Sequence, residues 1–135
     1  MTMNEKKLMG IRITVHRGSN QIGGCVTEYE CRGFHLFVDY GEQLPGYEHT
    51  EMEIEGLTKG DVSNSALLIT HYHGDHIGKV SELSSEIPVY MGKTGCEICQ
   101  EFELHMAHIP GEEGKRHRLM ADRVAEFKHF EPGHT

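Results

Sequence analysis

No apolar run in this 135-residue chain approaches the roughly 20 residues needed to cross a bilayer as a helix. The start, Met1-Thr2-Met3-Asn4-Glu5-Lys6-Lys7-Leu8-Met9, also lacks an apolar segment long enough for a secretory signal. A helical membrane span is excluded, and a cytoplasmic location is expected. Cysteine is sparse, with four in the chain, and without a secretion signal these are expected to be reduced thiols. Positive charge is in deficit: 13 Lys and Arg stand against 21 Asp and Glu, a formal net charge of −8. Nonspecific binding to nucleic acid relies on neutralising phosphates, so this segment alone is a poor candidate for it. The one basic cluster, Lys115-Arg116-His117-Arg118 with Arg123 beyond, reads as a solvated helix face.

What is present is ordinary globular material, 37% hydrophobic and 25% charged, enough for one compact domain over 1–135 with residues 1–10 as a flexible lead-in. The informative stretch is Thr70-His71-Tyr72-His73-Gly74-Asp75-His76-Ile77-Gly78, directly after the apolar run Ala66-Leu67-Leu68-Ile69. Imidazole and carboxylate together suit zinc, and also iron, manganese or nickel. His71 and His73, two apart on extended backbone, project to the same side. Gly74 lets the chain bend before Asp75 and His76. The pattern reads as two half-sites a few ångströms apart, as a two-metal centre needs.

This stretch resembles the signature of the metallo-β-lactamase-fold hydrolases. The resemblance implies an αββα sandwich with two metal ions, zinc in most members, at one edge of the sheets. It would assign His71 and His73 to the first metal and Asp75 and His76 to the second. Asp75 would also hold the attacking nucleophile, which makes it the candidate catalytic residue. Gly18, Ile22 and Gly23, then Val38-Asp39-Tyr40-Gly41 and Pro45, are similar to ribonuclease J-like and related β-CASP proteins. Asp39 would then support the ligands from beneath through hydrogen bonds. The chain departs from that group at Gly24-Cys25, where polar residues are usual.

Taken in order, Ile11–Val15, Cys25–Glu30 and Phe34–Val38 alternate as strands, with Arg32-Gly33 as a hairpin turn, so an antiparallel β meander is expected. The glycine-rich segment 18–24 lacks the lysine and hydroxyl of a phosphate loop and reads as a turn near the metal site. Residues 41–64 read as a long polar loop with a substrate-facing role. After strand 66–69 a helix is expected over Ile77–Leu83, its dipole turned toward the site. A strand at Pro88–Met91 then completes a β-α-β unit. Lys93–Ile109 reads as a helix burying Cys96, Cys99, Phe102, Met106 and Ile109. That placement makes Cys96-Glu97-Ile98-Cys99 core rather than a metal or redox pair, and leaves His105 and His108 on the surface. A more polar helix over Lys115–Val124 and a strand within Ala125–Phe130 follow. The fold class is α+β: the meander, then β-α-β and helices, as the N-terminal half of the sandwich.

The chain ends in Pro132-Gly133-His134-Thr135. In many metallo-β-lactamase-fold enzymes the histidine of such a turn completes the first metal site. In ribonuclease J-like proteins a Pro-Gly turn instead leads into a later strand. His134 is therefore a candidate ligand under the first reading only. The resemblance also requires a later bridging aspartate and a final histidine, so the expectation is an N-terminal piece of a larger hydrolase. Its exposed sheet face would favour a homo-oligomer or pairing with a C-terminal half. The expected activity is metal-dependent hydrolysis of a phosphodiester, RNA first. Thioester, lactone or β-lactam substrates are the alternative within the fold, and a non-catalytic metal-binding fragment is the alternative outside it.

Overall fold

The computed structural model describes residues 10–133. Six strands form one sheet in the order of the chain: β1 (Arg12–Arg17), β2 (Val26–Cys31), β3 (Phe34–Val38), β4 (Ser65–Ile69), β5 (Val89–Gly92) and β6 (Lys128–Phe130). β1, β2 and β3 run antiparallel, whereas β3 to β6 pair in parallel. The meander is thus as expected. Its hairpin turn is made by Arg32 and Gly33 at φ 51° and 81°, the two left-handed residues that a tight two-residue connection between twisted strands requires.

The change to parallel pairing positions the site. Parallel neighbours end at the same edge of the sheet, so the segment leaving β3 at Asp39 meets the segment leaving β4 at Thr70. Val38 pairs with Leu68, and the Asp39 N–H donates to the Leu68 carbonyl at 2.9 Å. β6 runs parallel to β5, so it ends at this edge too. The Pro132-Gly133 turn follows it, while His134 lies outside the described residues.

One face of the sheet is buried. Val26, Phe37, Leu67, Ile69, Val89 and Met91 lie on it, under helices α2 (Lys93–Met106) and α3 (Glu112–Val124) and the 3-10 turn Val80–Glu82. Residues 41–64 prove less polar in role than their composition suggests. Ile54 and Leu57 enter the core, and a turn in which the Leu57 and Thr58 N–H groups donate to the Ile54 carbonyl holds them there. The opposite face stays open, with Ile13, Val15, Tyr29, Phe34, Leu36 and Phe130 exposed.

Two helices depart from expectation. The helix expected over Ile77–Leu83 forms instead over Gly74–Ile77 as α1, followed by the separate 3-10 turn. The Lys79 N–H, which would continue the helix, donates to the Tyr40 carbonyl, so a tertiary hydrogen bond overrides the local pattern. One turn of helix carries little dipole, so it adds little field at the site. α2 stops at Met106, short of Ile109, with the His108 ring Nδ1 against the carbonyls of Leu104 and His105 at 3.1 and 3.2 Å. On α2 only Cys96 and Cys99 are fully buried, while Phe102 is 54% exposed.

Arg123 joins α3 to the connection before β5. Its guanidinium donates to the Ser84 carbonyl at 3.2 Å, the Ile87 carbonyl at 2.9 Å and the Glu126 carboxylate at 3.1 Å. Arg123→Ala removes the buried donor to the Ile87 carbonyl and one of two donors to the Ser84 carbonyl, and should cost about 2–3 kcal/mol in urea unfolding. Burial pushes the Cys96 and Cys99 thiols up to about 11 and about 12, with the Glu97 and Glu103 charges adding to the respective shifts. At pH 8 both are overwhelmingly neutral, so a disulfide thiol reagent should modify them only after denaturation. Modification of either in the folded chain would contradict the packing.

Candidate metal centre

The centre is built around Asp39, which is 4% exposed and has φ 63°, a left-handed conformation that aspartate tolerates better than most residues. Its carboxylate accepts three kinds of hydrogen bond. The Thr70 N–H donates to Oδ1 at 2.8 Å, the Thr70 hydroxyl lies 2.9 and 3.1 Å from the two oxygens, and His76 Nδ1 lies 2.7 Å from Oδ2.

These contacts decide two tautomers. An ionised carboxylate only accepts, so His76 Nδ1 carries the proton and its Nε2 keeps a lone pair. The Thr70 hydroxyl has one proton, and that goes to Asp39. Its oxygen then accepts from His71 Nδ1, 2.9 Å away, which leaves His71 Nε2 unprotonated as well. One buried carboxylate thus presents two imidazole lone pairs on the side away from itself, the arrangement that metal-ligating histidines use.

The structure brings together His71, Asp75 and His76, whose donor atoms lie within 4.8 Å of one another. His76 Nε2 is 3.4 Å from Asp75 Oδ2. The His71 ring centroid is 4.1 Å from that of His76 and 4.7 Å from that of His73. His73 is exposed beside His71 and stands outside the three-residue cluster. Its carbonyl accepts from the N–H groups of His76 and Ile77, which fixes the bend into α1. The donor set is two imidazoles and a carboxylate with a third imidazole adjacent, and this chemistry fits a divalent transition ion.

Backbone contacts clamp the two loops together. The Tyr40 N–H donates to the His76 carbonyl at 2.9 Å and the Glu42 N–H to the Gly74 carbonyl at 3.0 Å. Gly41 lies so close that a Cβ there would overlap the Asp75 carbonyl. The glycine-rich segment lies alongside, as expected for a turn near the site. Burial pushes the Cys25 thiol up, and the charges of Asp39 and Asp75 push it further.

Sequence reasoning missed a cavity of ≈ 410 Å³ beside this loop, lined by Tyr72, His73, Phe102, Glu103, Arg116 and His117 among others. His117 Nδ1 lies 2.6 Å from the Glu103 carboxylate. The basic cluster on α3 was the available signal. It read as solvated face because nothing local shows that α3 packs back against α2 beside the loop.

Asp39→Asn keeps the left-handed backbone accessible but cannot accept at both positions. The His76 ring should lose its fixed tautomer, visible as a change in its ring-nitrogen shifts, and divalent-metal affinity should fall about 10–100-fold. Unchanged His76 nitrogens would contradict the role given to Asp39.

No family model matches the chain. It is 29% identical over 138 positions to ribonuclease J of Mycobacterium tuberculosis, covering 93% of this chain and 24% of that protein. It is 27% identical over 138 positions to ribonuclease J of Mycolicibacterium smegmatis, covering 92% of this chain and 25% of that protein. A UPF0173 metal-dependent hydrolase of Bacillus pumilus is 31% identical over 83 positions, 54% of this chain and 34% of the relative. The crystal structure of a protein of unknown function from Enterococcus faecalis V583 shares the fold, with a TM-score of 0.64 at 20% identity over 93% of this chain and 33% of that one. The chain therefore spans about a quarter of the length of its ribonuclease J relatives. These similarities bear out the resemblance drawn from the residues: the chain is similar over most of its length to ribonuclease J proteins and over about half of it to a metal-dependent hydrolase.

Proposed function

We propose that this chain carries the metal-binding part of a metal-dependent hydrolase that acts on phosphodiesters, with RNA as the leading substrate. The observation that carries the reading is the convergence of His71, Asp75 and His76, with both imidazole lone pairs set by Asp39. In the proposed assignment His71 and His73 hold one ion and Asp75 and His76 the other, and His134 is a further candidate for the first. Zinc is the expected metal, with manganese or iron as substitutes. A bound pair of ions supplies Lewis acidity and hydroxide at neutral pH. Asp75 orients the attacking group, His76 is held rigid by Asp39, and the cavity beside His73 receives the substrate. Arg116 at that cavity is a cation for a phosphate, and Phe102 and Tyr72 are aromatic faces for a base.

The proposed architecture is one half of an αββα sandwich, with residues 1–135 as part of a single domain. The open face carrying Ile13, Val15, Tyr29 and Leu36 is the surface on which a second sheet packs, supplied by a longer chain or a second copy. A cytoplasmic location goes with this reading.

Hydrolysis of bis(4-nitrophenyl) phosphate and of end-labelled RNA, measured with added zinc or manganese, tests the activity. His73→Ala should lower the rate at least about 100-fold if the ion it holds polarises the reacting phosphate. Bound metal with no turnover on either substrate would overturn the enzyme reading for this chain and leave a metal-binding module. Turnover of thioesters or lactones but not of phosphodiesters would reassign the substrate class.

A further inference from the structure

A second group of metal-ligating side chains lies outside this centre, on the core-facing side of the meander. Glu28 of β2 is 8% exposed, and histidines from both neighbouring strands hold its two carboxylate oxygens. His16 Nε2 is 2.8 Å from Oε1, and His35 Nδ1 is 2.6 Å from Oε2. The sequence hides this arrangement. Val15 pairs with Thr27 and Arg17 with Val26, so His16 is the extra residue of a β-bulge, which turns its side chain toward Glu28. Glu30 lies two residues along β2 on the same face and pairs directly with His35 on β3. Donor atoms of Glu28, Glu30 and His35 lie within 4.8 Å of one another.

Two carboxylates held this close repel each other unless a cation lies near. Arg12 reaches Glu30 only at 3.9 Å and is 73% exposed, which gives weak compensation. Burial works to raise the Glu28 carboxyl, but the hydrogen bonds from His35 and His16 outweigh it and hold the group below its ordinary range. Glu28 thus has an imidazole on each of its oxygens and a second carboxylate beside it.

We infer that Glu28, Glu30 and His35 form a second divalent-cation site, separate from the His71–His76 centre, in which His16 orients Glu28. His35 is four residues before Asp39 on β3, about 13 Å along the strand, so the two centres do not share ligands. His35 ligates through Nδ1. That atom donates its proton to Glu28 in the structure, so as the ion takes its place the single proton of the neutral ring passes by way of solvent to Nε2. His16 keeps its proton on Nε2 and continues to donate to Oε1. Because the ligands come from β2 and β3 and the orienting group from β1, the ion ties together the three antiparallel strands. The inference does not depend on the proposed hydrolase activity.

Zinc titration of the full chain labelled with nitrogen-15 at histidine tests it without any substitution. The expected result is binding at two separate places. One moves the His71 and His76 rings, and the other converts His35 to the Nε2–H tautomer with Nδ1 as the ligating nitrogen. Glu30→Gln, a change at a partly exposed position, should weaken binding at the second place at least about tenfold and leave the first unchanged. His35 nitrogens that stay put at zinc saturation would overturn the inference. So would binding at the second place if Glu30→Gln leaves it intact.

Discussion

The hydrogen bonds that converge on the Asp39 carboxylate are the constraint on which the candidate centre depends. Asp39 receives the Thr70 backbone N–H, the Thr70 hydroxyl and the His76 ring, and through Thr70 it also governs the His71 ring. A buried carboxylate without such partners would be costly to keep charged. Here the groups that satisfy it are also those that aim the imidazoles. Stability and ligand geometry are consequently one property of this site: whatever disturbs the hydrogen bonding of Asp39 disturbs both.

The sheet makes that contact available. An antiparallel neighbour would have placed the end of β3 against the start of β4. The parallel pairing of β3 with β4 instead brings Asp39 beside Thr70 at the edge where binding sites of such sheets form. The crossover between these strands needs no long helix, because Ile54 and Leu57 give residues 41–64 an apolar hold on the core. Gly41 completes the fit by allowing the two loops to touch backbone to backbone.

Much of this was legible because its signals are local. Four ligand-type residues after Ala66-Leu67-Leu68-Ile69 announce a site at a strand end, and Arg32-Gly33 announces the hairpin. The role of Asp39 came through family resemblance, since no local pattern links it to a histidine 37 residues later in the chain. What escaped was nonlocal. The α1 boundary was set by the Tyr40 carbonyl capturing the Lys79 N–H, which no helical periodicity encodes. Phe102 matched a buried stripe but faces the cavity rather than the core. The Glu28 group depends on strand register and on a bulge, and neither can be read from spacing along the chain.

The clamp between residues 39–42 and 70–79 has a consequence for the order in which the site arises. Asp39, Thr70, His71, His73, Asp75 and His76 all fall within one continuous stretch of chain. During synthesis, which proceeds from the N-terminus, the carboxylate that sets the imidazoles emerges before the imidazoles themselves. β4 is held on its far side by β5, however, and the core beneath it includes Val80, Val89, Met91 and Val124, so the cluster is fixed only once the later segments pack. The ligand-bearing loop is thus made early and set late.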